Sequence, residues 1–331
     1  MKNSYIKDIA FHVPEEVLTN DDLSKMMDTS DEWIKTRTGI HQRHTTGDSN
    51  LGPTDLAVCA TEKILNKSNI QKSDIDFVVF ATSTPDYFVP GSGSLFQEKM
   101  GLDNVGVLDI RQGCSGFTYA LSVADKFIKT ETYKNILVIG AEVQTTQLDF
   151  DDDGRGTAIL FGDGAAACIL TDTDEDKGIL SAHLHSDGKF IDDLGTVYPS
   201  SKYKDIITTE NINNRQHHIQ MNGREVFKHA VRRFPEVILE GLDYNNLTIE
   251  DVDLVIPHQA NYRITQAVQK QLNINQEKVF SNIHNYGNTT AASIGIALSE
   301  ALEKNKIKDG DIVVLASFGA GFQWGSVIIK W

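Results

Sequence analysis

Cys114 follows the apolar run VGVLDI (105–110) and precedes the amphipathic run SGFTYALSVADKFIKT (115–130). A thiol placed where a strand hands over to a helix meets unpaired N–H groups and the positive end of the helix dipole. Both favour the thiolate, so the spacing predicts a nucleophile at neutral pH. Gly113 and Gly116 beside it leave room for a substrate. His258 ends a second apolar run, VDLVIPH, at the strand end where α/β sheets present functional side chains. Asn288, in NYGNTTAAS, stands at a helix start. A nucleophile, an imidazole and a carboxamide together suit acyl transfer through a covalent intermediate. The glycine-rich ASFGAGFQWGS (316–326) adds backbone N–H donors for an oxyanion. It is no phosphate loop, since no GK[ST] follows and it runs into a strand. Cys59, on an apolar helical face, and Cys168, inside an apolar run, read as core residues. His217 and His218 read as loop surface, and Gly162 and Gly164 as a tight turn.

The elements that must position these groups alternate. Strand-like runs lie at 75–82, 105–110, 135–142, 165–170, 252–258, 278–283, 311–319 and 326–331, with helical patterns at 54–67, 115–130, 221–242, 261–272 and 291–305. That alternation implies an α/β fold with covered sheets. The order also repeats. Asn135 follows Asp74 by 61 residues, and Asp311 follows Asp251 by 60. A duplicated α/β unit with an offset of roughly 177 residues is the expectation. Cys114 lies 40 residues after Asp74, and Asn288 lies 37 after Asp251. Two helix N-termini, one from each half, are thereby expected to face one site.

Composition narrows the class. Of 331 residues, 40% are apolar and 23% charged, as in an ordinary globular enzyme. The three cysteines show no CxxC and no short pairing, which argues against a disulfide framework or a zinc site and fits a reducing compartment. No signal-peptide core and no run of 18 apolar residues occurs, so the expected location is cytoplasmic, with no membrane partner. A formal charge of −15 excludes non-specific nucleic-acid binding.

The segments DEWIKTRTGIHQRH, GCSGF, RGTAILFGDGAAA, MNGREVFKHAV, HQANYRI, GNTTAASI and SFGAGFQWGS occur in this order, and the chain resembles the β-ketoacyl-acyl-carrier-protein synthase III family from about residue 4 to 331. The resemblance implies a thiolase-like α/β fold of two pseudo-symmetric halves, 1–173 and 174–331, in α-β-α-β-α layers. It implies a decarboxylative condensation of an acyl-CoA primer with malonyl-acyl carrier protein, initiating fatty acid synthesis, with no cofactor or metal. Cys114 matches the acylated nucleophile, and His258 and Asn288 match the pair that promotes decarboxylation. The N–H groups of Cys114 and Ala320 match the oxyanion hole. Trp33, Arg37, Arg155 and Asn261 match contacts to CoA, and Lys228, Arg263 and Lys270 match a basic patch that docks the acidic carrier protein. Val89 matches a primer-length gate that reaches across a homodimer. Two departures stand out. Arg111-Gln112-Gly113 replaces a small uncharged stretch before the nucleophile, which is similar to a specialised subgroup, and Gln271 replaces a frequent lysine. A specialised condensing enzyme, or an acyltransferase using another nucleophile, stays open on the sequence, as do a cysteine hydrolase and a non-catalytic partner.

Overall fold

The computed structural model describes residues 2–331. Its strands are β1 (Asn3–His12), β2 (Val17–Thr19), β3 (Gln42–His44), β4 (Phe77–Ala81), β5 (Gly106–Ile110), β6 (Ile136–Glu142), β7 (Gly164–Thr173), β8 (Gly178–Ser186), β9 (Leu194–Gly195), β10 (Gln220–Met221), β11 (Leu254–Pro257), β12 (Ile312–Gly319) and β13 (Gln323–Lys330). The helices are α1 (Asn20–Leu23), α2 (Asp31–Thr38), α3 (Pro53–Lys67), α4 (Ser92–Met100), α5 (Gly116–Lys129), α6 (Arg155–Ala158), α7 (Thr209–Asn213), α8 (Gly223–Tyr244), α9 (Tyr262–Leu272), α10 (Ile283–Tyr286) and α11 (Ser293–Glu303).

Two sheets organise the chain. One has the order β1-β7-β6-β4-β5, the other β11-β12-β13-β8. In the first, β4 runs parallel to β6 and β6 antiparallel to β7; in the second, β11 runs parallel to β12 and β12 antiparallel to β13. The strand pattern of one half therefore repeats in the other, with β8, β13, β12 and β11 standing for β1, β7, β6 and β4. Even the lead-ins agree. Short 3-10 turns end at Asp74 and Asp251, and each aspartate accepts the backbone N–H of the residue three before it.

The strands are apolar on both faces because both faces are covered. Val79, Ile136, Val138, Leu170, Val313 and Leu315 point into a central layer formed by α5 and α11. Their neighbours Val78, Phe80, Leu137 and Ile139 turn outward under α3 and α4. Val255, Val314 and Ala316 do the same under α8 and α9. The result is five layers, α-β-α-β-α. Phe117 and Leu121 of α5 and Ala297 and Leu298 of α11 are fully buried between the sheets. Each large side chain sequestered this way contributes about 1.5–3 kcal/mol, so the two helices that lead to Cys114 and Asn288 are held rigidly.

Three expectations need correction. KVFSNI (278–283) forms no strand; only Val279 makes an isolated bridge, to Val255, before the chain turns into α10. Its alternation is too short to hold a ladder. β1 and β8 went unread, since a bulge between Ile6 and Asp8 breaks the period of β1 and histidines interrupt β8. Gly162 and Gly164 do not need positive φ. They answer to close approach: a Cβ on Gly162 would lie 2.6 Å from the Tyr286 carbonyl oxygen, and one on Gly164 3.0 Å from Ile296.

Candidate active site

β5 delivers the chain to a 3-10 turn at Gly113–Ser115, and α5 follows at Gly116. Gly113 has φ +47°, a backbone conformation that side chains resist. The β12–β13 hairpin presses on the thiol from the other half. A Cβ on Gly319 would sit 2.6 Å from Cys114 Cβ, so only glycine fits. Ser115 Oγ donates to the Gln323 carbonyl at 3.1 Å, and Thr118 Oγ1 meets Ser317 Oγ at 2.7 Å, fastening α5 to the same hairpin. Cys114 is buried, with the N–H groups of Cys114 and Ala320 directed at its sulfur. These donors favour the anion, but burial and the nearby Glu142 carboxylate oppose it and prevail, pushing the thiol up to about 12. The helix terminus gives the direction of the backbone N–H contribution but not the burial that outweighs it. Those backbone donors are placed where negative charge on or beside the sulfur would be met by N–H groups.

His258 follows β11, and its N–H donates to the Ala316 carbonyl at 2.7 Å. Its Nδ1 lies 2.5 Å from Ser293 Oγ, at the start of α11. The Gln259 N–H donates to the same hydroxyl at 3.4 Å, so the hydroxyl proton points to Nδ1. That network assigns the proton of the neutral ring to Nε2. Nε2 is buried with no partner in the protein, and His258 lines the cavity described below. Burial holds the imidazole down at about 3, so it works as a neutral donor.

Asn288 is fixed by interlocked loops. Its N–H donates to the Leu160 carbonyl at 2.8 Å, and its carbonyl accepts the Gly162 N–H at 3.0 Å. Its Oδ1 accepts the Thr290 N–H at 2.9 Å, which commits the oxygen and leaves Nδ2 as the group to offer.

Cys114, His258 and Asn288 line one cavity of about 400 Å³. Leu194, Met221, Phe227 and Phe318 supply apolar wall. Trp33, Arg37, Asn261 and Arg263 line it as well. The Arg37 guanidinium carbon lies 4.7 Å from the centre of the Trp33 ring, and that of Arg155 5.2 Å, an arrangement suited to a flat ring carrying phosphates. Arg155 itself lies outside the cavity lining and donates to the Asp28 carbonyl. Asn261 caps α9 and donates from Nδ2 to the Arg37 carbonyl at 3.1 Å, joining the two basic elements. Lys228 and Lys270 are exposed and outside the cavity, Lys228 paired with Glu225 at 3.0 Å. Val89 is 79% exposed and also outside it. Cys168 is fully buried and Cys59 half-buried; His217 and His218 lie in a turn, half-buried rather than on the surface. Among the described residues no cluster of three potential metal ligands gathers.

Sequence reasoning missed Ser293, Glu142 and Arg224. Ser293 lies inside the quoted GNTTAASI, five residues after Asn288. Arg224 lies inside MNGREVFKHAV and lines the cavity. Glu142 is an acid ending an otherwise apolar strand, a mismatch that could have been flagged.

Models of two family domains match the chain: 3-oxoacyl-[acyl-carrier-protein (ACP)] synthase III over residues 108–188, and its C-terminal domain over 242–331. The β-ketoacyl-[acyl-carrier-protein] synthase III of Natranaerobius thermophilus is 44% identical, with all of both chains covered, and that of Clostridium perfringens 42% identical, again over both whole chains. The crystal structure of 3-oxoacyl-[acyl-carrier-protein] synthase III from Aquifex aeolicus VF5 superposes with a TM-score of 0.90 at 40% identity, covering 100% of each chain. With the layered thiolase fold and the cysteine-bearing cavity in place, the chain belongs to the β-ketoacyl-[acyl-carrier-protein] synthase III family.

Proposed function

We propose that this protein condenses an acyl-CoA primer with malonyl-acyl carrier protein, with loss of carbon dioxide, to give the β-ketoacyl product that starts fatty acid synthesis. The observation that carries this reading is the convergence of Cys114, His258 and Asn288, from both halves, on one cavity. In the first step the Cys114 sulfur attacks the primer thioester carbonyl. The carbonyl oxygen gains its charge beside the N–H groups of Cys114 and Ala320. The bond to CoA breaks, CoA leaves as a thiol with the proton that Cys114 gave up, and an acyl-Cys114 remains. Splitting the transfer this way replaces one hard step by two easier ones. In the second step the malonyl C–C bond breaks, carbon dioxide leaves, and the electron pair passes to the thioester as an enolate. His258 Nε2–H and Asn288 Nδ2–H donate to that oxygen. The enolate carbon then attacks the acyl-Cys114 carbonyl and expels the Cys114 sulfur as a thiolate, which takes up a proton from solvent to restore the thiol.

Trp33, Arg37 and Arg155 hold the CoA end in this reading, with Asn261 on the pantetheine side. Arg263, Lys228 and Lys270 attract the acidic carrier against the chain's net charge of −15. We further read the protein as a cytoplasmic homodimer with halves bounded at 173/174. β7 ends at Thr173 and β8 opens at Gly178. β5 has β4 on one side and, among the described residues, no strand on the other. Tyr87, Phe88 and Val89 are exposed in the same half. A second copy joined at β5 covers that edge and brings Val89 to the partner's primer. The three cysteines are free thiols, in keeping with a reducing compartment.

Mass spectrometry tests the reading. The wild type incubated with acyl-CoA gains one acyl group on Cys114, then loses it to malonyl carrier with release of carbon dioxide. Cys114→Ala gains none; normal loading of that variant overturns the assignment. His258→Ala loads, but condenses about 10²–10³-fold more slowly, the usual loss for one oxyanion donor. Acyl release to water, without carbon dioxide, replaces the condensation by simple acyl transfer.

A further inference from the structure

Glu142 ends β6 with its carboxylate fully buried and in no ion pair among the described residues. A buried carboxylate without a cation is costly unless neutral donors surround it, and here they do. Ser83 donates from its backbone N–H and its Oγ, each at 3.0 Å to Oε1. Thr84 Oγ1 donates at 2.7 Å, Gln144 Nε2 at 3.3 Å and Thr82 Oγ1 at 3.4 Å, all to Oε2. The Ala291 N–H, in the turn just after Asn288, donates to Oε1 at 3.4 Å. One carboxylate thus holds the loop after β4 and the turn that carries Asn288. The nucleophile's helix meets the same place. A Cβ on Gly116 would lie 3.0 Å from Ala81 Cβ and 3.1 Å from Ala291 Cβ, and one on Gly140 2.4 Å from the Ala291 carbonyl oxygen. β4, β6, the start of α5 and the Asn288 turn leave no slack between them. All the elements packed on Glu142 offer neutral groups; the titratable group that faces its charge is Cys114.

We propose that Glu142 is a positioning residue for the condensation: its carboxylate ties the Ser83–Thr84 loop to the turn just after Asn288 and so keeps Asn288 in register with Cys114. A glutamine there would keep the volume but turn an NH2 group toward a cluster of donors. The inference rests on the condensation reading, and a two-stage experiment separates the two. The enzyme is first loaded with acyl-CoA and acyl-Cys114 is weighed; malonyl carrier is then added and product formation followed. Separately, the alkylation rate of Cys114 by iodoacetamide is recorded against pH. Glu142→Gln is expected to load within a fewfold of wild type but condense about 10- to 100-fold more slowly, the scale of loss from a misplaced reacting group. Its alkylation profile moves to lower pH, because the opposing charge is gone. Glu142→Asp recovers part of the condensation. Thr84→Val, which removes the 2.7 Å donor and keeps the acid, gives the same selective loss on a smaller scale if the glutamine variant does not fold. A wild type that never forms acyl-Cys114 overturns the function and this inference together. A wild type that loads, beside a Glu142→Gln enzyme that condenses equally fast with an unmoved alkylation profile, overturns this inference alone. Parallel loss of loading, condensation and melting temperature in the Gln, Asp and Thr84→Val variants also overturns it, since packing would then be the whole role.

Discussion

The two halves build the same device with opposite electrostatics. In each, a 3-10 turn opens a central helix, at Gly113–Ser115 and α5 in one and Thr290–Ala292 and α11 in the other; β5 leads into the first, and α10 with an isolated bridge at Asn288 into the second. The first half buries an acidic pair. Cys114 faces Glu142, and burial raises both, the carboxyl to about 7. The second half buries a base, His258, which burial lowers, and gives it only a hydroxyl for company. Duplication supplied the scaffold twice, and side-chain identity divided the labour. In the proposed reaction one end holds a sulfur that becomes negative for a moment, and the other holds neutral donors.

The contact between halves is the strongest place to break this division. Gly319→Ala puts a methyl group 2.6 Å from Cys114 Cβ and 3.1 Å from its backbone nitrogen, neither of which is a flexible end. Acyl loading is expected to fall at least about 100-fold while the sheets keep their circular dichroism, since Gly319 is the last residue of β12. Loading at the wild-type rate would show that the hairpin does not fix the thiol. Ser293→Ala is the milder counterpart in the second half. Without that hydroxyl the ring proton is no longer held on Nε2, so condensation by preloaded enzyme drops roughly tenfold, one good hydrogen bond. Loading stays normal, because Ser293 belongs to the donor half. If both steps fall equally, the two halves do not separate the chemistry as described.

Much of this division was legible in the sequence. Cys114 and His258 could be read because each follows an apolar run whose length and lead-in fix a strand end, and Asn288 because it lies 37 residues after Asp251, close to the 40 that separate Cys114 from Asp74. The five layers were implied by the resemblance, and the uninterrupted apolar runs support them, since a strand covered on both faces cannot alternate. What escaped was long-range. The thiol's proton affinity is raised first by burial and then by Glu142, 28 positions away, neither of which a helix-dipole argument contains. Ser293 reads as an ordinary helix residue until His258 arrives from 35 positions before it. Gly162 looks like a turn, but its reason is the Tyr286 carbonyl from the other half. In each case the missing term was a neighbour delivered by the sheet order.

The smallest expected effect is also the one that reads both halves at once. His258 holds its proton affinity far below the usual 6.5, at about 3. Between those values the unfolded chain binds a proton that the folded protein refuses, so stability falls as pH falls through that window. Glu142 works the other way. Its carboxyl sits near 7 rather than the usual 4.5, so the folded protein holds a proton that the unfolded chain releases, and stability falls as pH rises from 4.5 to 7. Each slope is at most about 1.4 kcal/mol per pH unit, one proton's worth. Between about 4.5 and 6.5 the two oppose each other, so the wild type should show a flattened stretch in denaturant midpoint against pH for these groups. His258→Asn removes the acid-side term and leaves a midpoint that declines with rising pH across that stretch. Glu142→Gln removes the other term and leaves one that climbs. Variant profiles parallel to wild type would mean that neither group is held away from its unfolded proton affinity, and the electrostatic contrast between the halves would have no thermodynamic weight.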